Sequence, residues 1–267
     1  MSVGHRVRPP AVAGTFYPAD PTALAALVDD LVADALPPGA PVPHQPKALI
    51  VPHAGYVYSG PVAASAFARL WPFRRHITRV VLAGPAHRVW LDGLALPGAD
   101  RLDTPLGAVR AIEAGPASVS TNPRAHAEEH SLEVQLPFVQ RVLGDVEVVP
   151  LVVGDTTGEA VAHVLDALWG DHATLILVSS DLSHYLDWHE ARRRDAQAAT
   201  QIEALGPPLT HEQACGATAI NGLLLVAQHR RLRVERLDLR NSGDTAGPRD
   251  RVVGYGAFAF HEGGASA

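Results

Sequence analysis

The stretch KALIVPHAGYVYSGPVAASAFARL, residues 47–70, sets the fold class. Ala48 to Pro52 is a short apolar run that reads as a strand, and Ser59 to Leu70 reads as a helix. A short run without polar alternation is the pattern of a parallel strand covered on both faces. Between the two lies Pro52-His53-Ala54-Gly55-Tyr56, a break with turn residues. His53 thus stands where a buried strand ends. Read alone, such a histidine is a hydrogen-bonded structural residue more readily than a ligand. Gly55 is expected to let the chain turn sharply and keep bulk away from that position.

The same unit recurs along the chain. RVVLAGP (79–85), VEVVPLVVG (146–154) and ATLILVSSD (173–181) read as strands, with GLALPG (93–98), VRAIEA (109–114), RVERLDL (233–239) and VVGYGAFAF (252–260) as further ones. Helices are predicted over 20–36, 130–143, 159–170, 187–205 and 217–232, the first capped by Asp20 with Pro21 in its first turn. Pro137 predicts a break or kink in the second of these. The proline-rich PPGAPVPHQP that follows the first helix reads as an internal connection. Strands alternating with helices predict an α/β fold with a mostly parallel sheet covered on both faces, in one domain spanning 1–267.

Composition narrows the function classes. The chain has 267 residues, 47% of them hydrophobic, enough for a sizeable core. A formal net charge of −6 without a basic run argues against nucleic acid as a partner. No apolar run approaches the roughly 20 residues that span a bilayer. One cysteine, Cys215, leaves no internal disulfide. MSVGHRVRPPAVAG lacks the apolar centre of a signal peptide. A cytoplasmic location follows as the expectation.

Ligands in open α/β sheets bind beyond the carboxyl ends of the strands. ALIVP ends at His53, RVVLAGP at Ala86-His87, and ATLILVSS at Asp181, with His184 three residues on. If these strands are parallel, the groups converge on one rim. Asp181 alone could equally be a helix N-cap. AHAEEHSLEVQLP adds His126, Glu128, Glu129, His130 and Glu133. His130 and Glu133 would share a helical face at i, i+3 and could supply metal ligands or an acid/base pair; ordinary first-turn charges would look the same. Cys215 could be a small buried hydrophobe, and Gly216 beside it permits close backbone approach. His211 and the ARRR run at 191–194 offer no convergent partner and read as exposed or structural.

Taken in order, VAGTFYP (12–18), PHAGYVYSG (52–60), GPAH (84–87), TPLG (104–107), EEHSLEVQLPF (128–138), SSDLSHY (179–185), ACG (214–216), NSGDT (241–245) and VVGYGAFAF (252–260) resemble the Memo family. In bacteria that family includes the proteins called AmmeMemoRadiSam system protein B. The resemblance runs from about residue 8 to 260. It implies a single-domain α/β/α sandwich with a central mixed, mostly parallel sheet, similar to class III non-haem iron extradiol dioxygenases. It implies a metal site of His53, His87 and Cys215, with Asp181 and His184 lining the pocket. The dioxygenases carry a glutamate in place of the cysteine. GATA after Cys215 departs from the bulkier, proline-containing stretch of the family, which puts the start of the next helix in doubt.

Two imidazoles and a thiolate leave metal positions open for O₂ and substrate, and the thiolate softens the site. Fe(II) or copper is the expected metal, with zinc a further option. His184 would be the acid/base, with Asp181 orienting it or a water and His130 in the same surroundings. The expected function is redox or oxygenase-type chemistry on a small or peptide substrate. Two alternatives stand beside it. One is a non-catalytic metal-binding or partner-binding module of a system with a radical SAM enzyme and an AMMECR-like protein. The other is a metal-dependent hydrolase.

Overall fold

The computed structural model describes residues 6–36 and 44–263. His5, positions 37–43 of the proline-rich connection and the last four residues lie outside the described residues. The strands are β1 (Val7–Arg8), β2 (Ala48–Val51), β3 (Arg79–Pro85), β4 (Leu94–Leu96), β5 (Arg101–Thr104), β6 (Gly107–Ala111), β7 (Val119–Thr121), β8 (Glu147–Val153), β9 (Thr174–Ser179), β10 (His184–Leu186), β11 (Arg233–Asn241) and β12 (Val252–His261). The helices are α1 (Pro21–Ala35), α2 (Tyr56–Phe67), α3 (Pro123–Ala127), α4 (Leu136–Leu143), α5 (Gly158–Ala167), α6 (Trp188–Glu203), α7 (Ala217–His229) and α8 (Ser242–Thr245).

One mixed, mostly parallel sheet carries the order β1-β5-β6-β8-β3-β9-β2-β12-β10, with β11 on β12, β4 on β8 and β7 on β4. Its centre, β6-β8-β3-β9-β2, is all parallel. Side chains alternate faces along each central strand, as the period of two requires. Leu49, Val51, Val80, Leu82, Leu175 and Leu177 join α1, α2 and α4 in one core. Ala48, Ile50, Val81, Ala83, Ile176 and Val178 join α5, α6 and α7 in the other. Both faces are covered, so these strands read as unbroken apolar runs. The result is a single-domain α/β sandwich. Among the described residues no helix is long and apolar enough to cross a membrane.

Three boundaries differ from the sequence reading in ways that bear on the site. α2 begins at Tyr56, three residues earlier than expected, and carries Pro61 within it. The helix expected over 130–143 starts at Leu136 with Pro137 in its first turn, where a missing N–H costs nothing, and a 3₁₀ turn over Glu133–Gln135 precedes it. No helix follows Asp181; the chain enters β10 instead.

Lys47, the only lysine, anchors the start of β2. Its ammonium donates to the carbonyls of Trp169, Asp171 and Thr174 at 2.7, 2.6 and 2.6 Å. It thereby ties β2 to the carbonyls that follow α5.

Candidate metal centre

β2, β9 and β3 are neighbours in parallel register, Val51 beside Ser179 and Val178 beside Ala83. Their ends are therefore level. His53, Asp181 and His87 each stand two residues past those ends, at Val51, Ser179 and Pro85. Cys215 arrives from the loop before α7. That loop packs so closely that a β-carbon on Gly216 would meet Ser180 Cβ at 2.7 Å. Gly216 N donates to Ser180 Oγ at 2.9 Å, and Cys215 N to Asp181 O at 3.2 Å. α7 then starts directly at Ala217, so the GATA departure does not delay the helix. One ligand-capable atom each from His53, His87 and Cys215 lie within 4.8 Å of one another.

Hydrogen bonds assign the tautomers. The Ser179 hydroxyl spends its one proton on Ser131 O at 2.6 Å. It must therefore accept from His53 Nδ1 at 3.0 Å, as it does from Gln135 Nε2 at 2.9 Å. His53 Nε2 is left as a bare lone pair, 3.3 Å from Cys215 Sγ. His87 Nδ1 donates to Glu129 Oε1 at 2.9 Å, which leaves its Nε2 free as well. A carboxylate or hydroxyl behind each ligand imidazole is how metal-binding histidines are held in place. His184 Nδ1 donates to Leu182 O at 2.8 Å, which leaves its Nε2 without a proton, and the residue lines the cavity over the site. Burial lowers His53, first of all, and the nearby His87 adds to it. Burial also takes His130 down to about 4 and lowers His184. These rings are neutral at neutral pH. Burial pushes the Cys215 thiol up to about 12 and the Asp181 carboxyl up to about 7.

The model of Memo-like proteins matches residues 8–259, nearly the whole chain. The chain belongs to the Memo family. A MEMO1 family protein of Pyrobaculum arsenaticum is 35% identical over 96% of this chain and 99% of its own length. MEMO1 family proteins of Aquifex aeolicus and Thermotoga maritima are each 34% identical, over 96% and 93% of this chain and 99% and 97% of their own.

In this Memo-family chain a second group, His87, Glu129 and His130, also brings its donor atoms within 4.8 Å. Glu129 decides between the two. Its oxygens already accept from His87 Nδ1, His87 N, His130 N and Ser131 N. Burial works against its charge, but the hydrogen bonds from His87 and Ser131 outweigh it and hold the carboxyl down at about 2. As a ligand it would forfeit them, so His53, His87 and Cys215 are the better-suited set. Bond lengths of about 2.0–2.1 Å to nitrogen and 2.3 Å to sulfur put two donors about 3.1–3.6 Å apart for angles between square and tetrahedral. The 3.3 Å between His53 Nε2 and Cys215 Sγ falls inside that range.

His130 packs into the site, its ring 4.7 Å from His87, 5.4 Å from His53 and 4.8 Å from Phe16. Its Nδ1 is buried without a hydrogen bond, 3.3 Å from Glu129 Oε1. Glu133 does not share its face. With no α-helix there, Glu133 turns the other way, to Arg8, Tyr17 and the N–H groups of Ala11 and Val12. His126 is also outside the site, donating from Nε2 to Ala95 O at 2.8 Å. Asp181 does not orient His184, whose partner is Leu182 O. Its Oδ1 accepts instead from His53 N at 2.7 Å and so places the His53 backbone. Gly55 has φ −57° and ψ 142°, which any residue adopts, and a β-carbon there would make only ordinary contacts, so no sharp turn depends on it.

The sequence reading missed two members of the surroundings and left the role of a third, Glu129, open. Glu129 stood among the candidates of AHAEEHSLEVQLP, where an ordinary first-turn charge would look the same as a site residue. His211 and Arg194 line the cavity of about 550 Å³ over the site. The latter two come from separate elements, and nothing in their local pattern points inward.

Behind β10, Asp195 of α6 is buried and accepts from Ser183 N at 3.0 Å, which sets the strand carrying His184. Burial raises its carboxyl to about 6, against the lowering effect of Ser183. The folded value lies above the ordinary 3.8. The folded chain therefore binds more protons in that window, and the Asp195 contribution falls as pH rises from about 4 to about 6. Asp195→Asn should gain on the parent across that window, measured as the difference in urea midpoints at about pH 4 and about pH 6. A difference that stays constant would refute the assignment.

Proposed function

We propose that this chain binds one transition-metal ion through His53, His87 and Cys215 and carries out redox or oxygenase-type chemistry on a small organic substrate. The observation that carries the reading is the convergence of three donor atoms within 4.8 Å, two of them imidazole nitrogens whose partners leave the lone pair free. When bound, the ion supplies Lewis acidity and, as iron or copper, electron transfer. The remaining work falls to the chain's own groups. His184 Nε2 takes the proton from a substrate hydroxyl, with Leu182 O holding the ring in that tautomer. Glu129 fixes the His87 ring and Ser179 the His53 ring. His130, neutral and packed against both, closes the inner wall. The thiol gives up its proton on binding metal, and its softness favours Cu(I) and zinc over Fe(II).

The test is anaerobic reconstitution of the metal-free chain with Fe(II), Cu(I) and Zn(II) separately. Elemental analysis should find one ion per chain. Anomalous scattering should place it among His53, His87 and Cys215. Failure of all three ions to bind at stoichiometry would overturn the reading.

A further inference from the structure

Tyr185 stands where a side chain is least at ease. Its φ is +60°, the left-handed region that a β-carbon disfavours. The β10–β12 register slips between His184 and Leu186, so Tyr185 sits in a bulge of a short terminal strand, a device that re-aims a side chain. The ring is re-aimed to solvent, 64% exposed. It lies edge-on to His184 at 5.7 Å, and the Arg251 guanidinium stands over it at 4.9 Å. Arg251 has no carboxylate partner among the described residues. Neither packing nor pairing explains a strained, exposed ring topped by an unpaired cation. Residues held in such backbone conformations concentrate at ligand sites.

The pair borders a cavity of about 350 Å³. Phe16 and Tyr58 form further walls, and His130 and His184 reach it from the metal side. Ligand pockets run from roughly 300 to 1,000 Å³, so this one suits a single ring with a short arm and excludes a folded peptide. Aromatic walls suit a flat ligand. Asp181 also lines the cavity, but it is buried and its Oδ1 accepts from His53 N. Arg251 is the exposed cation of the lining and has no carboxylate partner among the described residues, and a guanidinium pairs with a carboxylate through two parallel hydrogen bonds.

We propose that this cavity is a binding subsite for a single-ring organic carboxylate, its ring against Tyr185 and Tyr58, its carboxylate on Arg251, and its far edge toward His184. The subsite extends the metal-centre reading, because His184 and His130 serve both. Its own binding step needs no metal.

The test uses the metal-stripped full chain and calorimetry with three probes: 4-hydroxybenzoate, its neutral amide 4-hydroxybenzamide, and phenyltrimethylammonium. The acid should bind at least about tenfold tighter than the amide, the effect of a charge-assisted pair. Arg251→Gln should bring the acid down to the amide's affinity while metal stoichiometry is kept. Tyr185→Gly should weaken acid and amide alike without lowering the melting temperature, because glycine adopts a positive φ freely. His87→Ala, outside this cavity, should keep the acid's affinity. Equal binding of acid and amide, an Arg251→Gln variant like the parent, no acid binding at millimolar concentration, or tighter binding of the ammonium probe would each overturn the subsite. Loss of metal binding with the probe pattern intact would overturn the metal reading alone.

Discussion

His53→Ala and His87→Ala are expected to abolish stoichiometric metal binding, and Cys215→Ser to weaken it while the fold survives. The three donors come from three separate loops, and each variant leaves two. His53 is buried, so its loss also opens a cavity beside Ser179 and Cys215. His87 carries no such complication, its side chain being 29% exposed, and it is the cleaner test. Glu129→Gln should fall between these and the parent. It touches no metal in the proposed arrangement, yet it holds the His87 ring through Oε1. Partners of this kind are worth about 10–100-fold in metal affinity. Dissociation constants from competition with a chelator would rank the set. Unchanged affinity in Cys215→Ser would return the thiol to the core. Unchanged affinity in His87→Ala would remove the site as drawn.

Glu133→Ala should destabilise the fold by about 3–5 kcal/mol, the cost of stranding one member of a buried ion pair. Arg8 and Glu133 are both buried, at 8% and 2% exposure. Arg8 also donates to His126 O at 3.0 Å and Glu129 O at 2.6 Å, and Glu133 also accepts from Ala11 N, Val12 N and the Tyr17 hydroxyl. Charge removal therefore strands a guanidinium and three neutral donors together. Arg8→Met/Glu133→Leu should not recover the parent, because Ala11, Val12 and Tyr17 would remain unpaired. At roughly 2–4 °C per kcal/mol for a chain of this size, the single variant should melt lower by about 10 °C. The network also clasps residues 126–133, so His130 and Glu129 should loosen with it. A loss under about 1 kcal/mol in denaturant titration would show that the clasp contributes little.

Some of this was legible in the one-dimensional pattern. β3 occupies the predicted 79–85 residue for residue, and α7 starts at the predicted 217. These are long, strongly apolar elements whose own side chains specify them. The strands Val7–Arg8, Arg101–Thr104, Val119–Thr121 and His184–Leu186 escaped, since two to four residues carry too little periodicity and exist only through their partners. The His130/Glu133 pairing failed for a related reason. An i, i+3 spacing places two residues together only on a helix, and a turn before Pro137 replaced it. Glu129, beside Glu128, carries no local mark that one of the two points inward.

The sequence by itself determined the α/β class, the Memo family, and the placing of His53, His87 and Asp181 after strands, because apolar runs and their ends are local features. Tertiary structure decided which of those groups do what. Ser179, 126 residues from His53, sets its tautomer, and Glu129, 42 residues from His87, sets the other. The carbonyl of Leu182 rather than Asp181 aims His184, and a bulge against β12 turns Tyr185 outward to meet Arg251. A proton's position on an imidazole depends on the atom about 3 Å from it, and that neighbour is supplied by folding rather than by adjacency along the chain.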